Sequence, residues 1–87
     1  MSVIGGEINA LGNLQRSFSR HSSEVDHLMS ALRGELDNVY WKGGAAERFR
    51  TAWHSEYEPA LRGLSAALVD AGTEVGRRSD ALQQAGA

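Results

Sequence analysis

The sequence has no cysteine, one proline and only two residues each of Trp, Tyr and Phe. Without Cys the chain forms no disulfide bond, no thiolate zinc site and no Cys nucleophile. A chain of 87 residues buries only a small core. Because disulfides and thiolate metal sites are excluded as staples, oligomerisation is the first means of stabilisation to consider.

Strong charge of one sign and long apolar runs are also missing. Nine basic and eleven acidic residues give a net charge of −2. The sequence therefore lacks the excess of basic residues that is typical of a nucleic-acid-binding protein. No run of eighteen apolar residues occurs, so we expect no membrane span. Residues 1–7 carry neither a basic segment nor an apolar core, so we expect no conventional signal peptide.

Apolar residues recur every seven positions in the first half of the chain. The row is Ile4, Leu11, Phe18, Val25, Leu32 and Val39, accompanied at offsets of three or four by Ile8, Leu14, Leu28, Met29 and Leu36. This pattern predicts an amphipathic α-helix from about residue 4 to about residue 38. Its apolar face is wider than a two-stranded coiled-coil seam and is typical of a bundle.

The second half repeats the helical spacing. Its apolar row is Ala46, Phe49, Trp53, Tyr57, Ala60, Leu64, Leu68, Ala71 and Val75, extended by Leu61 and Leu82. We predict a second helix from about residue 45 to about residue 83. Pro59 opposes it by removing a hydrogen bond and crowding the preceding turn. Because the apolar row keeps its phase across Pro59, the interpretation is a kink near 55–59, with a break into two helices as the alternative.

The segment 39–44, with Gly43 and Gly44, predicts a short turn between these helices. No alternating β-pattern occurs, so the prediction is one all-α domain over 1–87, an antiparallel helical hairpin. Two helices share one line of contact, so some of the apolar side chains would stay exposed to water. We therefore predict that a second hairpin completes a four-helix bundle. The predicted hairpin core and dimer interface are Leu11, Phe18, Val25, Leu28, Leu32, Phe49, Trp53, Tyr57, Leu64 and Leu68.

Catalytic and metal-binding patterns are missing from the sequence. His21, His27 and His54 form no His pair at a spacing of four and no His-Glu-x-x-His motif. No nucleophile elbow, P-loop or Gly-x-Gly-x-x-Gly occurs. We expect no enzymatic activity, no cofactor and no metal. His21 falls on the apolar face of helix one and is interpreted as a packed or interfacial residue.

Charged residues four positions apart form pairs along the predicted second helix. His54 and Glu58 are interpreted as a surface pair. Glu58 with Arg62, and Glu74 with Arg78, are interpreted as ion pairs on a solvated helix face. We expect these pairs to mark surface and to carry no specific chemistry.

The turn and the start of helix two carry the most specific motif. Trp41-Lys42-Gly43 is followed by Ala45-Ala46, Phe49 and Trp53, which spells Trp-x-Gly-x-Ala-Ala-x-x-Phe-x-x-x-Trp. With this motif between two long helices, the chain resembles the small Trp-X-Gly (WXG) proteins of type VII secretion, the early secreted antigenic target type. The resemblance covers nearly the whole chain.

The resemblance implies a homodimer, or a heterodimer with a related WXG protein, that is exported by an FtsK/SpoIIIE-like ATPase machine. It implies a protein that is cytoplasmic before export and is then secreted without a conventional signal peptide. In the family, the turn of one subunit lies near the end of its partner's second helix, and together they form an export feature. Trp41, Lys42 and Gly43 would then take part in recognition, besides the structural role of Trp41 in covering the hairpin's open end.

One departure from the family concerns the signal that follows helix two. Exported members often carry Tyr-x-x-x-Asp/Glu there, whereas here Asp80 is preceded at that spacing by Gly76. Gly76 and Asp80 would mark a divergent export segment, or a partner supplies the signal. The leading hypothesis is an exported effector, carrier or co-secretion partner. The alternatives are a cytoplasmic targeting chaperone for a larger toxin with a similar N-terminal domain, and a generic four-helix structural or regulatory module.

Overall fold

The computed structural model describes residues 3–86, and the side chains of residues 5–86. It contains helix α1 over Val3–Asn38, helix α2 over Gly44–Ala52, a π-helical turn over Trp53–Tyr57 and helix α3 over Glu58–Gly86. No strand occurs within residues 3–86. The all-α class predicted from the sequence is therefore confirmed. The side chain of Ile4, the first member of the apolar row, lies outside the described residues.

Contacts between distant positions show that α1 and α3 run antiparallel. Near the middle of the hairpin, the Ser22 and Ser65 hydroxyls are 2.9 Å apart. Towards the turn, Arg33 forms an ion pair with Glu58. Residues further along α1 therefore contact residues earlier in α3, as in an antiparallel pair of helices. The result is a hairpin-shaped rod with principal extents of 64 × 18 × 12 Å.

The connection between α1 and α2 depends on Gly43. The N–H of Val39 donates to the carbonyl of Glu35 at 2.9 Å and closes the end of α1. Gly43 then adopts φ of 104° and ψ of 178°, a region open essentially to glycine alone. Its carbonyl accepts the N–H of Glu47 at 3.1 Å and begins the next helix. The short turn predicted at 39–44 lies in this segment.

Pro59 is accommodated by a π-helical turn directly before α3. Proline has no N–H, and its ring crowds the carbonyl four residues earlier. The chain widens over Trp53–Tyr57, and the N–H of Glu58 donates to the carbonyl of Trp53, five residues back. The chain stays helical from Gly44 to Gly86, so the helix is not broken in two at Pro59. The π-helical turn accommodates the proline, and the bend expected at 55–59 stays a prediction.

The π-helical turn shifts the phase of the buried face by one residue. An α-helix returns to the same face after four residues, whereas one π-turn needs five. Trp53 is therefore followed on the buried face by Glu58 instead of Tyr57. The expectation that the apolar row keeps its phase across Pro59 is wrong. Beyond the turn the buried residues are Glu58, Ser65, Gly72 and Ser79.

The line of contact between α1 and α3 consists largely of small and polar residues. The buried apolar residues are Ala46 and Trp53, and the buried polar residues are Ser22, Glu58, Ser65 and Ser79. A β-carbon on Gly72 would lie 3.2 Å from Cβ of Phe18. These small residues let the helices approach closely, and the larger apolar side chains lie to one side of the contact line.

Candidate functional site

One side of the rod, here called the apolar face, carries most of the exposed large apolar residues. Leu14 and Leu28 of α1 are 45% and 51% exposed, and Leu64 of α3 is 48% exposed. Helical spacing places half-buried Phe18, Val25, Leu32 and Leu68 beside them. The apolar face is defined by Leu11, Leu14, Phe18, His21, Val25, Leu28, Leu32, Phe49, Tyr57, Leu61, Leu64, Leu68, Val75 and Leu82.

Both helices contribute to the apolar face. At one end, Leu11 of α1 and Leu82 of α3 line a single shallow depression. Near the turn, Leu32 lines another depression with Phe49 and Trp53. The face therefore extends along the rod and is not confined to one helix.

The opposite side of the rod is polar. Ser19 and Thr73 line a depression between the two helices. Asn9 and Asn13 line a second one with Asp80. Val69, 52% exposed, is an apolar residue on this side. The hairpin thus has two unlike sides, one apolar and one polar.

The structure divides the ten residues predicted for the hairpin core and dimer interface into three groups. Trp53 is buried, whereas Leu11, Phe18, Val25, Leu32 and Leu68 are half-buried. Leu28, Phe49, Tyr57 and Leu64 are exposed and do not belong to the core of the hairpin. Because all ten lie on or beside the apolar face, their place in a dimer interface stays a prediction.

The turn presents a row of aromatic side chains that leads onto the apolar face. Trp41 lies 5.6 Å from Phe49 between ring centroids, and Phe49 lies 6.0 Å from Tyr57. The Lys42 ammonium is 5.6 Å from the ring centroid of Tyr40, within the range of a cation–π contact. Trp41 is 40% and Tyr40 88% exposed. Trp41 thus packs on Phe49 and still presents indole surface to solvent.

Glu58 is a buried carboxylate and not the surface residue that the sequence predicted. Its side chain is 3% exposed and contacts Arg33 of α1. Its oxygens also accept from His54 at 3.3 Å and from Arg62 at 3.1 Å. The expected pairs with His54 and Arg62 therefore exist, but the placement of Glu58 on a solvated face is wrong. The π-helical turn moves Glu58 into the contact line, where it joins α1 to α3.

Glu74 is paired on the surface, as the sequence predicts. It accepts from Arg78 at 3.1 Å, and both side chains are more than half exposed. Such pairs contribute little to stability. Glu58 and Glu74 thus form the same kind of i, i+4 pair in opposite environments.

His21 is exposed and lies on the apolar face. Its Nδ1 donates to Glu24 at 2.8 Å, and with Leu14 and Phe18 it lines a shallow depression. The hydrogen bond from His21 holds the pKa of the Glu24 carboxyl below its ordinary value, with a further contribution from Arg20. His21 is not packed inside the hairpin, and its interfacial role stays a prediction.

Gly76 and Asp80, the predicted export segment, occupy different environments on α3. Gly76 is half-buried, and a β-carbon there would lie 2.8 Å from the side-chain amide of Gln15. Asp80 is exposed on the polar side. The Gln15 amide is the end of a flexible side chain and can move aside, so this contact does not require glycine at position 76. The export role of both residues stays a prediction.

Trp53 carries a buried donor that the sequence did not indicate. The indole is 7% exposed, and its Nε1 has no hydrogen-bond partner among the described residues. A buried unpaired donor reduces stability by about 1–3 kcal/mol. The apolar contact of the ring must outweigh that loss, so we interpret Trp53 as a packing residue.

Within the described part of the chain, His, Asp and Glu side chains form no group of three that could hold a metal ion. No helix in residues 3–86 is both long enough and apolar enough to cross a membrane.

Comparison of the chain with family models, with curated proteins and with solved structures found no significant match.

Proposed function

We propose that this chain is a non-enzymatic type VII secretion substrate or co-secretion partner, which dimerises into a four-helix bundle and is exported by an FtsK/SpoIIIE-like ATPase machine. The observation that carries the proposal is the open apolar face of a hairpin whose turn holds Trp41-Lys42-Gly43. A partner covers this face, while the turn stays accessible at the end of the rod.

The shape of the chain supports a bundle partner. The radius of gyration is 19.4 Å, against about 12 Å for a compact domain of this length. A thin rod has a high ratio of surface to volume, so it cannot enclose its own large apolar residues. A second hairpin on the apolar face encloses them and supplies the core that one copy lacks.

The turn supports a recognition role. Gly43 has a backbone conformation that other residues resist, and it positions Trp41 against Phe49. Trp41 and Lys42 remain exposed at the end of the rod. The turn therefore offers an aromatic and cationic surface to the export machine.

Deleting the secretion ATPase in the source bacterium tests the export claim. We expect the chain to disappear from the culture filtrate and to accumulate in cells. A protein exported through a cleaved signal peptide serves as the control and stays at its normal level. An unchanged amount of the chain in the filtrate contradicts the proposal.

The second candidate is a cytoplasmic targeting chaperone for a larger toxin with a similar N-terminal domain. The observation that favours it is the lack of Tyr-x-x-x-Asp/Glu, because Tyr40 and Tyr57 are followed four residues later by Gly44 and Leu61. Pull-down with the product of a neighbouring long toxin gene separates the two functions. A stable complex supports the chaperone, and a self-contained homodimer counts against it.

A further inference from the structure

A groove with polar walls runs between α1 and α3 on the polar side of the rod. Nearer the chain ends it has a volume of about 570 Å³. Nearer the middle of the rod it continues between Ser19 and Thr73, and Gln15 lines both parts. It follows α1 from residue 9 to residue 19, about 15 Å at 1.5 Å per residue. This polar groove is defined by Asn9, Asn13, Gln15, Ser79, Asp80 and Gln83.

The floor of the polar groove consists of residues with a small side chain or none. Gly12 of α1 and Ser79 of α3 line the part nearer the chain ends, and Gly72 lines the part nearer the middle. A β-carbon on Gly12 would meet only the Arg16 guanidinium, at 3.7 Å. The space above Gly12 is therefore open, and a larger side chain there would fill part of the groove.

Ser79 is a buried polar residue whose hydroxyl the hairpin does not use. The residue is 6% exposed, and its hydroxyl has no hydrogen-bond partner among the described residues. Ser22 and Ser65, which are equally buried, bond to each other. Unlike Nε1 of Trp53, the Ser79 hydroxyl is not fully enclosed, so it opens into the groove that Ser79 lines. A buried polar group of this kind is normally satisfied by water or by a ligand.

The walls of the polar groove carry groups that both donate and accept hydrogen bonds. Each amide side chain offers two donors and one acceptor oxygen. Arg16 donates to Asn13, whereas Asp80 forms no ion pair within the described part of the chain. One guanidinium and one carboxylate leave the groove without net charge. The wall amides without a hydrogen bond to another described side chain are those of Asn9, Gln15 and Gln83.

This composition disfavours the other common classes of ligand. Ile8 is the one large apolar side chain that lines the part nearer the chain ends, so the groove does not suit an amphipathic helix or an acyl chain. Extended peptides are bound at sheet edges, in aromatic grooves or by arginine clusters, and the polar groove has none of these. A single arginine also gives no basic track for a nucleic acid.

We propose that the polar groove binds a neutral oligosaccharide. Such a chain is linear, uncharged and rich in neighbouring hydroxyls, each of which donates and accepts. Planar amide and carboxylate side chains can bond two neighbouring hydroxyls at once, and Ser79 supplies a further partner from the floor. The groove lies opposite the apolar face, so a bundle partner leaves it open. The site therefore does not depend on the proposed function.

NMR titration of the full chain, labelled with ¹⁵N, tests the site directly because side-chain amides give their own signals. The ligands are maltotriose, cellotriose and chitotriose, which differ in linkage and in acetamido groups, each added to about 10 mM. We expect at least one of them to shift the side-chain amide signals of Asn9, Asn13 and Gln83. Asn38, an exposed amide near the other end of α1, is the internal control and should not shift.

Ser79→Ala tests the hydroxyl at the floor of the groove. Because this hydroxyl bonds to no described residue and alanine favours helix, the melting temperature should stay the same or rise. The dissociation constant of the trisaccharide should increase about two- to tenfold, as expected for the loss of one hydrogen bond. An unchanged dissociation constant overturns the assignment of Ser79 to the site.

Gly12→Leu tests the groove itself by filling its floor. We expect it to abolish the shifts at Asn9, Asn13 and Gln83. Gly63→Leu is the matched control, since it makes the same change within a helix at a position with nothing within 4 Å, and it should leave binding intact. Both variants gain helix propensity, so loss of binding in Gly12→Leu alone does not arise from unfolding.

Three outcomes overturn the proposal. The first is the absence of shifts with all three trisaccharides. The second is a shift of Asn38 as large as those of the groove amides. The third is a shift of the groove amides by inorganic phosphate, or by a neutral peptide of glycine and alanine, when no trisaccharide has this effect. None of these outcomes bears on export, which the culture filtrate tests separately.

Discussion

The two tryptophans differ in burial, and the difference separates packing from recognition. Trp53 is buried where α2 meets the π-helical turn, whereas Trp41 is 40% exposed and packs on the ring of Phe49. Both belong to the same sequence motif. Only Trp53 is enclosed by the hairpin itself, although its Nε1 stays without a hydrogen-bond partner among the described residues.

Replacing each tryptophan with alanine should separate these roles. Trp53→Ala should lower the free energy of unfolding by about 3–5 kcal/mol, as expected for a buried aromatic residue. Trp41→Ala should lower it by only about 0.5–1.5 kcal/mol, the contribution of an aromatic pair, and should abolish export. Urea denaturation at one protein concentration measures the first effect, and culture-filtrate immunoblotting the second. Equal destabilisation by both variants would contradict the distinction.

Glu58 shows at the same scale how burial changes the meaning of an ion pair. It joins α1 to α3 through Arg33 and is also bound by Arg62. Its counterpart Glu74 pairs with Arg78 in solvent. The two glutamates therefore form a matched comparison within one helix.

Removing the charge of Glu58 should destabilise the hairpin. Glu58→Gln keeps the volume but leaves buried polar atoms poorly paired, and we expect a loss of about 1–3 kcal/mol. Glu74→Gln should change the free energy of unfolding by less than about 1 kcal/mol, because exposed pairs contribute little. Chemical denaturation of both variants measures the difference. Equal effects would place Glu58 among ordinary surface residues.

Within the helices, the close approach of α1 and α3 depends on glycine and serine at every seventh position of α3. Ser65, Gly72 and Ser79 form this row. Gly72 lies against Phe18, whereas a β-carbon on Gly63 would have nothing within 4 Å. The two glycines thus lie in the same helix, but only Gly72 faces a residue of α1.

Alanine substitutions at these glycines should have opposite effects. Gly63→Ala should stabilise the chain by about 1 kcal/mol, since alanine favours helix over glycine. Gly72→Ala gains the same propensity, but its β-carbon meets Cβ of Phe18, which moves only with the α1 backbone. We expect a net loss of about 1–3 kcal/mol from overpacking. Thermal unfolding measures both, and stabilisation by Gly72→Ala would show that the helices are not in close contact there.

At the scale of the whole molecule, the rod has one apolar side and one polar side. Its accessible surface of 6189 Å² exceeds the roughly 5,000 Å² typical of a folded monomer of this mass. The excess follows from the elongated shape. A partner on the apolar side would remove the part of it that is least compatible with water.

Acidic substitutions on the two sides should affect association differently. Leu28→Asp and Leu64→Asp should convert a dimer into a monomer, because each places a charge in the interface without a partner. Val69→Asp on the polar side should leave the mass unchanged, although Val69 is as exposed as the two leucines. Light scattering measures the mass. Dissociation by Val69→Asp would mean that the apolar face is not the interface.

The sequence by itself determined the helices, the turn and the amphipathic character of this protein. These features are local: a period near 3.6 selects the α-helix, and Gly43 permits a backbone angle that other residues avoid. The apolar row on α1 could be predicted for the same reason, since no proline interrupts it. Some members of the predicted core, such as Leu28 and Leu64, are exposed because the apolar face is wider than the single line of contact between the two helices.

Only the tertiary structure decided which residues of the second helix meet α1. Pro59 requires a wider turn, and the extra residue moves Glu58, Ser65 and Gly72 into the contact line while Tyr57 and Leu64 move out of it. Sequence periodicity assumes a constant number of residues per turn, so it does not predict a one-residue shift inside a continuous helix. The shift depends on a hydrogen-bond pattern that is chosen together with the packing of α1, so its outcome becomes visible only when both helices are in place.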